Sequence, residues 1–227
     1  MVYRLLEGYI VMMIWSLKDL FNKHRLTVRG VLHIGAHYGQ EYEEYVSCGV
    51  QRFVFFEPLI PAFDVLRAHV GDKPNVTLVN RAIGPVNERV KMFVESANRG
   101  MSSSVLKPKC HLDRYPSIVF NDSAEVEQIR LDDWVAEHVQ LNEFNMINID
   151  VQGYELPALQ SAPTVLRYTD AVYAEVNKDE LYEGCTLIDE LDVYLAGFGL
   201  SREDTGWTGD GWGEAFYVRK TASRGVM

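Results

Sequence analysis

The chain has 227 residues, enough for one large domain with a self-sufficient core. Hydrophobic residues make up 47% and charged residues 24%, near globular averages, which excludes a disordered chain. A formal charge of −10 excludes a nucleic-acid backbone as main partner, since phosphate needs a basic face, but leaves room for a nucleotide-sized ligand.

In chain order, YIVMMIW (residues 9–15) is the first apolar run, far too short to span a membrane. It imitates a signal-peptide core, yet SLKDLFNKH follows instead of a small-residue cleavage site. The expectation is an amphipathic helix covering a sheet, within a helical extension over residues 1–28, with Met12 or Met13 as alternative starts. Three scattered cysteines, Cys48, Cys110 and Cys185, show no metal-ligand spacing and predict a reducing, cytoplasmic setting.

Strands are expected at Val31–Ile34, Arg52–Glu57, Val76–Asn80, Met146–Asp150, Ala171–Val176 and Glu214–Arg219. Helical patterns lie between them at Glu41–Cys48, Ala62–Val70, Asp132–Val139, Gly153–Ser161 and Leu187–Ala196. Such alternation predicts an α/β fold, a mainly parallel sheet covered on both faces. The reading is one domain over 29–220 with a tail at 221–227. The polar stretch 97–125 reads as a lid-like loop. The tail region GFGLSREDTGWTGDGWGEAFYVR reads as a hairpin whose antiparallel strand closes one edge.

Four stretches carry candidate chemistry. In VLHIGAHYGQE, Gly35 and Gly39 predict a sharp turn onto a helix N-terminus, where backbone can approach a ligand. Glu57 ends the next strand, where an acid can bond both hydroxyls of an adenosine ribose. A dinucleotide fingerprint needs a third glycine, whereas His37 and Tyr38 crowd a pyrophosphate. The turn therefore favours S-adenosylmethionine, with Gln40 and Glu41 near its amino-acid end. In NMINIDVQGYELPALQ, Asp150 and Gln152 sit at the carboxyl edge of a buried strand, and in AVYAEVN so do Glu175 and Asn177. The 97–125 loop offers His111, the one side chain there suited to proton transfer near neutrality, with Ser103, Ser104 and Tyr115.

Together, VLHIGAHYGQE, FVFFEP, NRAIG, MSSSVL, IRLDDW, MINIDVQGYELPALQ and GWGEAFYVR resemble the FkbM family of S-adenosylmethionine-dependent methyltransferases, from about Leu17 to Arg219. The chain departs from that pattern at Ser161-Ala162 and at His33, where the family often has aspartate. The resemblance implies a class I methyltransferase fold, a Rossmann-like three-layer sandwich whose seven-stranded sheet has one antiparallel strand. It implies O-methylation of a sugar or polyketide hydroxyl. In that light Gly35, His37, Gly39, Gln40 and Glu41 would surround the methionine part, Glu57 and Pro58 the ribose, and Asn80, Ala82 and Ile83 the adenine. Ser103 or Ser104 would close the pocket.

Asp150 is the first candidate base and alternatively a ligand for the cofactor's ammonium; His111 is the second. Tyr115, Gln152, Glu175, Asn177 and Trp212 are candidate acceptor contacts, with Tyr154 and Trp207 as further aromatic platforms. Asp150 and Glu175 can also ligate a divalent metal, though nothing in the spacing demands one. The expected partner is a sugar or glycosylated small molecule, with monomer and homodimer both open. An NAD-dependent oxidoreductase, a non-catalytic module in a glycosylation complex and a nucleic-acid amino-methyltransferase are the alternatives. The missing glycine disfavours the first, and IDVQ in place of a D/N-P-P-Y/F pattern disfavours the last.

Overall fold

The computed structural model describes residues 2–6 and 9–220, with side chains from residue 14 onward. The expected helix over 9–15 is not formed. Strands β1 (Val2–Leu6) and β2 (Tyr9–Met13) pair antiparallel instead, and α1 (Leu17–His24) follows. The reason is periodicity: YIVMM is continuously apolar, whereas LKDLFNKH buries Leu17, Leu20 and Phe21 at helical spacing. The predicted tail at 221–227 lies outside the described residues.

Next come β3 (Gly30–Ile34), α2 (Tyr42–Ser47), β4 (Arg52–Phe56), α3 (Ile60–Val70) and β5 (Val76–Val79). A second, three-stranded sheet is built from β6 (Ala82–Ile83), β7 (Glu88–Val94) and β8 (Asp122–Ile129), with short helix α4 (Cys110–Arg114) between β7 and β8. The second half contains α5 (Leu131–His138), β9 (Met146–Ile149), α6 (Glu155–Gln160), α7 (Pro163–Tyr168), β10 (Ala171–Asn177) and α8 (Ile188–Ala196). It ends with β11 (Leu200–Trp207) and β12 (Trp212–Arg219).

The seven-stranded sheet runs β11-β12-β10-β9-β3-β4-β5, parallel except where β12 pairs with β10 and β11. This is the class I methyltransferase arrangement. The antiparallel strand does not close the edge: β12 is inserted between β10 and β11, and β11 is the edge. Alternate residues face two cores. Leu32, Ile34, Val54, Phe56, Ile147 and Ile149 pack toward Leu131, Leu159, Leu166 and Leu191. Val31, Phe53, Phe55 and Met146 pack toward Leu17, Leu20, Tyr45 and Leu66. Burying such side chains contributes about 1.5–3 kcal/mol each.

Strand order reverses beside β3, with β4 and β5 on one side and β9 and β10 on the other. Crossovers leave in opposite directions there and open a crevice at the carboxyl ends of β3 and β9. The 97–125 stretch is not one loop. Within it α4 packs His111 inward, Ser104 pairs with Phe93 of β7, and residues from Asp122 onward belong to β8. No helix among the described residues is long and apolar enough to cross a membrane.

Candidate active site

The crevice widens into a cavity of about 360 Å³ at the carboxyl ends of β3, β4, β9 and β10, roofed by residues 98–118 and the β11–β12 turn. Its floor starts at the glycine turn. Gly35 adopts φ +80, and a Cβ there would lie 1.8 Å from the Asp150 carbonyl oxygen, so β3 and β9 meet at a distance only glycine permits. That contact fixes where the Asp150 side chain begins. Gly39 does not face the cavity; its Cα lies against Leu66 and Val70 of α3 and serves helix packing.

His37 takes a left-handed conformation (φ 47) and its N–H donates to Glu57 Oε2 at 2.9 Å. Its ring lies between Gln40 Nε2, 3.0 Å from Nδ1, and the Arg99 carbonyl, 2.9 Å from Nε2. This pattern puts the proton on Nε2 and ties the glycine turn to the roof. The other Glu57 oxygen accepts from Leu59 N–H at 2.8 Å. Each carboxylate oxygen thus keeps a lone pair for a ribose hydroxyl. Burial pushes Glu57 up to about 7 despite these two bonds. Asn80 stays outside the wall and holds the Glu57 and Pro58 carbonyls at 2.9 Å, so it positions this corner without bordering a ligand. Pro58, Arg81, Ala82 and Ile83 line the cavity.

Just beyond β9, Asp150 is open to the cavity, and desolvation by the surrounding protein raises it to about 6. Gln152 (φ 54) turns back so that its Nε2 donates to Asp150 Oδ1 at 2.7 Å and Glu175 Oε2 at 3.0 Å. Its carbonyl accepts from Ser104 Oγ at 2.8 Å, which clasps roof to floor; Ser104 itself is buried behind the wall, while Ser103 lines it. Asp150, Glu155 and Glu175 each place an oxygen within 4.8 Å of the others, a set of hard donors able to take a divalent cation.

His33 replaces the expected aspartate. Buried and pushed down to about 3 by desolvation, it is neutral, with Tyr45 Oη 3.3 Å from its Nδ1. Asn148 donates to the same hydroxyl at 2.5 Å. Glu41 lines the cavity, and burial, then the nearby Asp150, Glu214 and Glu44 carboxylates, raise it to about 8. Glu214 was missed altogether, though a glutamate inside the apolar run WGEAFYV signalled it. Its Oε2 accepts from Ile14 N–H at 2.6 Å and from the Tyr173 hydroxyl, and burial lifts it to about 7.

His111 sits in the roof, only 4% exposed, among the rings of Tyr115, Phe120 and Tyr182 at centroid distances of 5.0, 5.3 and 5.4 Å. Its Nδ1 is enclosed without a partner, and burial lowers its pKa, keeping it uncharged near neutrality. At the lip, Trp212 Nε1 donates to Tyr115 Oη at 2.8 Å, which donates to Asp210 Oδ2 at 2.9 Å. Tyr154 also lines the cavity. Two expected acceptor contacts do not reach it. Asn177 is fully enclosed with both amide atoms unpartnered, and Trp207 packs on the core beneath Lys178.

Residues 33–202 match the methyltransferase FkbM domain. The chain belongs to the FkbM methyltransferase family. The cofactor of that family, S-adenosylmethionine, fits the cavity: Glu57 offers lone pairs for a ribose, and uncompensated carboxylates await a cation. The 2-O-methyltransferase NoeI of Sinorhizobium fredii is 30% identical over 160 residues, which cover 68% of this chain and 65% of that protein. The chain thus spans about two thirds of that relative's length, just short of the full fraction. Among solved structures, M. capricolum TrmK in complex with S-adenosylhomocysteine superposes with a TM-score of 0.52 at 7% identity, covering 95% of this chain and 73% of that one. A Streptococcus agalactiae protein of the NADB-Rossmann superfamily gives 0.50 at 10% identity, covering 93% and 72%. These two likenesses concern the fold. The family match makes the chain a methyltransferase and so overturns the dehydrogenase alternative.

Proposed function

We propose that the protein transfers a methyl group from S-adenosylmethionine to a hydroxyl of a sugar, in a glycan or a glycosylated small molecule. The observation that carries the acceptor class is the lip of Trp212, Tyr115 and Asp210. There an indole and a phenol are braced by a hydrogen-bond chain ending on a carboxylate, beside the acid-tipped strands. Aromatic faces take the apolar side of a sugar ring, and the carboxylate takes its hydroxyls. The name of the S. fredii relative, a 2-O-methyltransferase, supports oxygen as the methylated atom. The scattered cysteines support a cytoplasmic location.

When bound, the cofactor supplies an electrophilic methyl on a sulfonium, ready for in-line displacement. The chain's residues do the rest. Glu57 would hold the ribose, Asp150 would take the ammonium, and Pro58, Ala82 and Ile83 would border the base. His111 accepts the hydroxyl proton: its Nδ1 is enclosed, leaving Nε2 as the nitrogen able to reach the cavity. An uncharged imidazole is ready to act near pH 7. The roof, pinned through His37–Arg99 and Ser104–Gln152, excludes water and holds the acceptor in line.

The test is a mass assay with S-adenosylmethionine against neutral oligosaccharides and glycosides. One added methyl on a sugar hydroxyl, located by NMR, is expected. Methylation confined to non-carbohydrate acceptors would refute the sugar reading.

A further inference from the structure

The cavity walls carry far more negative than positive charge. Glu175 and Glu214 stand directly opposite in the antiparallel register of β10 and β12, a position where like charges repel. Glu41 and Asp150 face the same space. The other titratable groups around them are Glu44 on α2, Glu57 after β4, Glu155 opening α6, Asp210 in the hairpin turn, His33, His37 and the roof's His111, and the phenols Tyr45, Tyr115, Tyr154, Tyr173 and Tyr182. Arg81 is the arginine on the wall, and it pairs with Glu127 at 2.7 Å. Of the cations in the roof segment, Lys107 pairs with Glu183, Lys109 with Glu180 and Arg114 with Asp179, while Arg99 lies beside His37.

Between Asp150 and Glu175 lies only a neutral dipole, the Gln152 amide, among the described residues. Glu155, 1% exposed, belongs to this acid group and has an unpartnered Oε2. Burial and mutual repulsion both raise Glu41 and Glu175, as expected where carboxylates lack a counter-charge.

The nucleoside changes charge during the proposed reaction, from a sulfonium cation to a neutral thioether. We infer that Glu41, Glu175 and Glu214 make the chamber select for positive charge on the bound nucleoside, holding the sulfonium form more tightly than the thioether left after transfer. The inference rests on the cofactor reading above and adds specificity-determining carboxylates to it. The product is then held less tightly because it has lost the charge that held the sulfonium form. Because a carboxylate must be ionised to discriminate, the preference grows as pH rises through the raised pKa of Glu41, which lines the cavity outside the acid group of Asp150, Glu155 and Glu175.

Isothermal titration of the full chain with S-adenosylmethionine, S-adenosylhomocysteine and sinefungin, an amine analogue of the sulfonium, tests this at about pH 5.5, 7 and 8.5. At the highest pH both cationic ligands are expected to bind about tenfold more tightly than S-adenosylhomocysteine, and the ratio should shrink toward the lowest. Glu41→Gln and Glu214→Gln should each narrow the ratio at high pH; the wild-type series stands even if one variant does not fold. Equal affinity for the charged and neutral nucleosides at high pH, or a ratio flat with pH, overturns the inference. If none of the three binds, the cofactor reading itself falls and the inference falls with it.

Discussion

Replacing Gly35 by alanine tests how the site is anchored to the sheet. The new Cβ would lie 1.8 Å from the Asp150 carbonyl oxygen and 2.8 Å from its carbon. Neither partner can yield cheaply, because Gly35 N–H donates to Phe56 O at 3.0 Å and Asp150 N–H to Ile34 O at 3.0 Å. The left-handed φ of +80 adds about 1–2 kcal/mol for any L-residue, and forced overpacking about 1–3 kcal/mol, so the loss is about 2–5 kcal/mol. For a chain of this size that lowers Tm by about 5–15 °C. Gly49→Ala is the internal control: φ is +83, but no atom lies within 4 Å, so only the backbone cost of about 1–2 kcal/mol applies. Differential scanning calorimetry of both variants separates the two contributions, and titration with S-adenosylhomocysteine should show at least about tenfold weaker binding for Gly35→Ala alone. Equal melting and equal binding in the two variants would refute the claim that this close approach sets the position of Asp150.

Glu57→Ala removes the acceptor of the His37 and Leu59 amides as well as the ribose contact, and S-adenosylhomocysteine affinity should fall by about tenfold or more in calorimetry. His111→Asn should cut kcat by about 10²–10⁴-fold while nucleoside affinity changes little, a split that steady-state kinetics and calorimetry read separately. Trp212→Ala should raise acceptor KM, because it removes one ring of the lip and frees Tyr115, and leave the KM for S-adenosylmethionine nearly unchanged. Ligand-free stability should decline from about pH 5 to pH 8. Glu41, Glu57, Glu155 and Glu214 have folded pKa values near 7 or 8, above their unfolded values, so the native state binds more protons across that interval and loses stability as they ionise. A melting temperature that rises over the same interval would contradict the burial of these acids.

What the sequence made legible was whatever depends on local pattern. Strand–helix alternation located the parallel strands to within a residue or two, and the acids at strand ends, Glu57, Asp150 and Glu175, were readable because chain direction alone puts such residues at one sheet edge. Properties set by long-range packing stayed hidden. Gly39 and Gly35 look equivalent in the sequence, yet one meets α3 and the other β9, since only tertiary contact decides what stands opposite a missing Cβ. Asn177, two residues beyond Glu175, shares its face of the strand but is covered where Glu175 is not. The strand β8 was lost because its polar residues alternate around Val126 and Gln128, the mark of a strand with one wet face, inside a stretch whose Ser, Pro and Lys content spoke for a loop. Glu214 shows what the omissions share. Its strand comes last in the chain but is inserted beside β10, so its carboxylate meets Glu175 through a pairing no local pattern encodes. The crowding of acids around the cavity is therefore a property of the topology, and a sequence-level charge of −10 gives no hint that so much of it converges on one site.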